Sequence, residues 1–124
     1  MKHYQLQVNK FLVDAGWELV SIDRDVEWWS AEEWTVVSRR EGWGTKIWIN
    51  FLVDPQYDGQ KKESAVWAVS ASLSRPKERV EAESGTLMDL VKGHFQAKLE
   101  DFVASLDELR RTSSRHIESD ANLS

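Results

Sequence analysis

Apolar residues at Tyr4, Val8, Phe11, Leu12 and Ala15 recur at helical spacing, so the chain opens with an amphipathic helix of roughly four turns. Gly16 supplies the left-handed residue that commonly ends such a helix. Trp17 to Asp23 follows as a short predicted strand. Its inward face is ambiguous, because Trp17 and Leu19 have one parity and Val20 and Ile22 the other.

From Glu33 to Arg40 and from Thr45 to Asp54 the pattern becomes two-residue alternation across Glu41-Gly42-Trp43-Gly44, which predicts a hairpin with a four-residue loop. Pairing Arg40 with Thr45 sets Trp34 opposite Phe51, Val36 opposite Ile49 and Ser38 opposite Ile47. One face is then almost wholly apolar, and a one-residue slip would throw that set to the other side. A polar loop runs from Asp54-Pro55 to Glu63 with Asp58-Gly59 as its turn. Ala65 to Leu73 is a fourth predicted strand, with Trp67 opposite Phe51, Val69 beside Ile49 and Ala71 beside Ile47. Pro76 closes it, having no amide hydrogen for a ladder.

Lys77 to Gly85 reads as a charged connector. Thr86-Leu87-Met88-Asp89 has the form of a capping box at the start of a long helix. Leu87, Met88, Val91, Phe95, Leu99, Phe102, Leu106 and Leu109 form its stripe, which continues to about Arg111. Residues 112–124 are mostly Ser, Asp, Arg and Asn, and are expected to form a disordered tail. The expected architecture is α+β, a two-layer sandwich in one domain over residues 1–111. An N-terminal helix, a four-stranded antiparallel meander and a long C-terminal helix follow in order, with both helices on one face of the sheet. The opposite face carries Val37, Trp48 and Leu52, too apolar to meet water unaided, and is expected to be a docking platform.

Composition supports one folded domain: 124 residues, 41% hydrophobic and 30% charged. The absence of cysteine excludes disulfides, thiolate metal sites and a cysteine nucleophile. No apolar run approaches the ~20 residues of a membrane span, and Gln5, Gln7, Asn9, Lys10 and Asp14 interrupt any apolar run of the length an export signal needs, so a cytoplasmic location is expected.

A net charge of minus 5 disfavours phosphate backbones, and no nucleic-acid or membrane partner is expected. Arg39, Arg40, Lys46, Lys61 and Lys62 read as solvated hairpin tips that discourage edge pairing. The acids are concentrated. Asp14, Glu18, Asp23, Asp25, Glu27, Glu32 and Glu33 face a single base, Arg24, in a segment that also holds Trp17, Trp28 and Trp29. All seven tryptophans lie within residues 17–67. Indole faces and carboxylates both attract cations. Adjacent residues of an extended chain point opposite ways, so one of Trp28 and Trp29 should face outward.

His3, His94 and His116 are scattered, and no nucleophile elbow, phosphate loop or metal-ligand spacing is present. Asp23, Asp25 and Glu27 alternate like oxygen ligands, but a calcium loop would need glycine where Trp28 stands. No cofactor or metal is therefore expected.

The resulting expectation is a non-catalytic protein-binding or self-associating domain. Trp28, Trp29, Trp43 and Trp48 would anchor the contact, and Asp23, Asp25, Glu27, Glu32 and Glu33 would steer a basic partner. A homodimer through the Trp48 face is equally allowed. The alternative is a small-ligand or carbohydrate-binding domain, or a carboxylate-based enzyme, with a pocket between the long helix and the sheet near His94 and Lys98.

Overall fold

The computed structural model describes the backbone of residues 2–38, 44–56, 62–90 and 93–123, and side chains as far as Thr112 apart from Glu63. Helix α1 (His3–Asp14) leads into β1 (Trp17–Asp23), β2 (Ser30–Ser38), β3 (Thr45–Val53) and β4 (Val66–Ser72). A short helix α2 (Arg79–Glu83), strand β5 (Thr86–Asp89) and the long helix α3 (Phe95–Leu123) complete the chain. The protein is α+β. Its sheet is antiparallel and has five strands in the order β1-β2-β3-β4-β5. Among the described residues no helix is long and apolar enough to cross a membrane.

Inward-facing residues of the sheet share one core cluster with both long helices. Val8 and Leu12 come from α1, Leu99, Phe102, Val103 and Leu106 from α3, and Trp34, Val36, Ile47, Ile49, Phe51 and Val69 from the strands. Trp34 and Phe51 meet edge to face at 4.8 Å between ring centres, a favoured aromatic arrangement. Gly16, at φ 91, ends α1 in the left-handed conformation.

The structure corrects the sequence reading in five places. First, Thr86 to Asp89 is a fifth strand and not the first turn of the long helix. Gly93 (φ 71) and His94 (φ 55) break the chain, so the helix starts only at Phe95. Second, Trp34 pairs with Ile49 and Val36 with Ile47, while Phe51 pairs with Val69, so both registers sit two residues from those inferred. A two-residue shift keeps every side chain on its face, and alternation alone cannot detect it.

Third, bulges change parity within strands. The irregularity at Val20 lets Trp17, Leu19 and Ile22 all reach the core. Another between Leu52 and Val53 sends Val66 inward and Trp67 to the opposite face. Fourth, α3 runs to Leu123, past its expected end near Arg111, in a stretch without glycine or proline to break it.

Fifth, the second face of the sheet is covered around Leu52, while Val37 and Trp48 are only half-buried. Trp29, Leu52, Ala68 and Ala82 form a second buried cluster, with Val26 and Trp67 packed against it. Leu52 is only 1% exposed, because α2 and the chain before β2 lie over it. The predicted Arg40 pairing and the Asp58-Gly59 turn lie outside the described residues.

Candidate interaction surface and a buried polar row

Strand pairing sets four polar side chains side by side on the outer face. Asp23 lies opposite Glu33, Glu33 opposite Asn50, and Asn50 opposite Ser70. Arg75, in the strap between β4 and α2, closes one end: its Nε donates to Glu33 Oε1 at 2.8 Å and its Nη2 to Asp23 Oδ2 at 3.2 Å. Ser30 Oγ stands 2.8 Å from Asn50 Oδ1 and 3.0 Å from the Glu32 carbonyl oxygen. Glu33, Asn50 and Ser70 are almost fully buried. Yet Glu33 Oε2, Asn50 Nδ2 and Ser70 Oγ find no hydrogen-bond partner among the described residues. Leaving a buried polar atom unsatisfied costs about 1–3 kcal/mol, so three together rival the total stability of a small domain.

The acids proposed to steer a partner are largely engaged within the chain. Glu33 and Asp23 share Arg75. Glu32, adjacent to Glu33 but on the inner face, accepts from Trp34 Nε1 at 2.6 Å and lies 3.6 Å from Arg24 Nε. Asp23 Oδ1 also accepts the Asp25 amide at 2.9 Å, which shapes the turn after β1. Lys62 Nζ donates to the carbonyls of Val26 at 3.0 Å and Glu27 at 3.2 Å, tying the acidic segment to the turn before β4. Asp23, Glu32 and Glu33 are thus paired with the protein's own arginines.

Glu32 also acts on Tyr4. Burial, and secondarily the Glu32 charge, push the Tyr4 hydroxyl from its ordinary 10.0 up to about 12. Between those values the unfolded chain releases this proton and the folded chain keeps it, so stability falls as pH rises from 10.0 to about 12. Urea unfolding over that range should show a steeper decline for the wild type than for Tyr4→Phe.

The four candidate tryptophans separate. Trp29 is 3% exposed and belongs to the outer cluster, so it cannot anchor a partner. Trp48 is half-buried beside Asn50 on β3, and Trp43 lies outside the described residues. Trp28 is 52% exposed, with the Arg79 guanidinium carbon 5.8 Å from its ring centre. Val80, on α2, is 66% exposed and lines the same groove, together with Glu27, Lys77 and Glu78. Sequence reasoning missed Val80, Arg75 and Asn50. Two signals were available: Val80 is an isolated large apolar residue in a charged connector, and Asn50 is a polar break in an apolar strand.

The alternative pocket has no room under the helix, where Leu99, Phe102 and Leu106 fill the space against the sheet. His94 is exposed, and Lys98 Nζ bonds Asp89 Oδ1 at 2.9 Å. A shallow groove does follow the whole of β5 beside α3, lined by Lys98, Asp101, Phe102 and Ser105.

Compared with known proteins, the chain matches no family model, no curated protein and no solved structure.

Proposed function

We propose that this chain is a non-catalytic protein-binding domain whose contact surface is the groove around Trp28 and Val80. The observation that supports it is the pairing of two large apolar side chains, more than half exposed, on a layer otherwise used to cover the sheet. Such patches are uncommon on monomers unless something docks there, and tryptophan is the residue most enriched among binding hot spots. Arg79 over one side of the indole holds the ring in place, which lowers the ordering cost of binding.

The chemistry of the groove narrows the partner. Lys77 and Arg79 stand against Glu27 and Glu78, so charges of both signs border it and long-range steering of a basic surface is weak. The partner offers an apolar side chain between charged neighbours, and a second copy of the chain is the simplest one to test.

Light scattering across a wide concentration range should show association by the wild type that changes little with salt. Trp28→Ala should weaken it about thirtyfold, the equivalent of about 2 kcal/mol for a hot-spot tryptophan. Binding through this surface is refuted if neither self-association nor any contact the wild type makes is weakened in a Trp28→Ala/Val80→Ser double variant that stays folded.

A further inference from the structure

We propose that the Glu33, Asn50 and Ser70 row on the outer face is a binding site for an ordered internal water, enclosed by the strap that carries Arg75. Three polar atoms from three neighbouring strands, each on a side chain at least nine-tenths buried, lack a protein partner at this one place. They are also complementary. Glu33 Oε2 only accepts while ionised, Asn50 Nδ2 only donates, and the Ser70 hydroxyl does either.

A guest that donates to Glu33 and accepts from Asn50 therefore satisfies both at once, and Ser70 supplies a third bond of the kind buried waters usually make. With the Asn50 amide in this orientation a metal or ammonium ion does not fit the set, since neither can accept a hydrogen bond from Nδ2. Water also tolerates the opposite orientation of the Asn50 amide. The single Ser30 hydrogen has two acceptors in reach, and turning the amide over would let Ser30 donate to Glu32 while the free end of Asn50 becomes an acceptor. Arg75, whose guanidinium bonds Glu33 Oε1, is itself more than half exposed, so this end of the row lies close to solvent. Slow exchange past that side chain gives the water a residence time far longer than surface hydration.

Oxygen-17 magnetic relaxation dispersion of the folded protein, paired with a high-resolution crystal structure, tests this. The wild type should show a long-lived water that the Asn50→Leu/Ser70→Ala variant lacks, a loss of about one from the count. The crystal should show one density peak within hydrogen-bond distance of Glu33 Oε2 and Asn50. Arg75→Ala, which keeps Glu33, Asn50 and Ser70 but removes the ion pair to Glu33, should keep the water and shorten its residence time in a variant that stays folded. Equal dispersion amplitudes in wild type and the double variant would overturn the assignment. So would a crystal in which Glu33 Oε2, Asn50 and Ser70 bond directly to one another. A peak that appears only with added sodium, potassium or calcium would overturn it as well, making the site a cation site.

Discussion

Trp29→Ala is expected to lower the unfolding free energy by about 3–5 kcal/mol, the cost of emptying a large aromatic site. The indole is buried against Leu52, Ala68 and Ala82, so its removal leaves a void between the sheet and α2. The backbone at that point is fixed as well, since Trp29 O accepts the Val53 amide at 2.9 Å and cannot follow the side chain inward. Trp28→Ala, one position earlier, should cost about 1 kcal/mol or less, because most of that ring already meets water. Urea midpoints of the two variants measure the contrast directly. Equal losses would mean that the two adjacent indoles share one environment.

Gly85→Ala is the second large effect, expected at about 3 kcal/mol, the upper end for overpacking. A Cβ at residue 85 would press on the Ala71 carbonyl oxygen, lie 3.2 Å from its carbon and stand 2.8 Å from Ser72 Oγ. Backbone atoms of β4 cannot swing aside as a flexible side chain would. Relief therefore requires β5 to separate from β4, loosening the pairing from Ala71 with Thr86 through Ala68 with Asp89. Gly44→Ala is the control, since a Cβ there meets nothing within 4 Å. A Gly85→Ala variant as stable as Gly44→Ala would show that β5 does not approach β4 so closely.

What the sequence discloses, and what it hides, follows from the range of each signal. Periodicity finds α1, the three central strands and the stripe of α3, because those patterns repeat within a few residues. It fails on register, since shifting β2 against β3 by two residues leaves Trp34, Val36, Ile47 and Ile49 facing the same core. Buried polar groups distinguish the two registers. The inferred one sets Asn50 opposite Thr35 and Glu33 opposite Leu52, whereas the observed one aligns Glu33, Asn50 and Ser70 and brings Ser30 onto Asn50. A lone carboxylate beside Leu52 would have been the costlier arrangement.

The same difference of range explains the candidate site. Local alternation separates Trp28 from Trp29, though not which of them is buried. The partner of two of the acids is distant: Arg75 lies 52 residues from Asp23 and 42 from Glu33. An acidic run judged without it looks like an unsatisfied field awaiting a basic partner. In the fold it is part of the wrapping of the outer layer, and Trp28 and Val80 stand exposed on that layer.

The account rests on the outer face of the sheet being covered by the chain itself around Leu52, with Trp28 and Val80 exposed at the rim of that cover. Because the protein has no cysteine, single introduced thiols report on this without background. Labelling rates of Leu52→Cys and Val80→Cys should be compared under strongly native conditions, with Ile49→Cys marking the rate at a fully buried core position. The Val80→Cys thiol should react at the rate of a free thiol, and the Leu52→Cys thiol should be as protected as that of Ile49→Cys. A Leu52→Cys thiol reacting as fast as that of Val80→Cys would contradict the account.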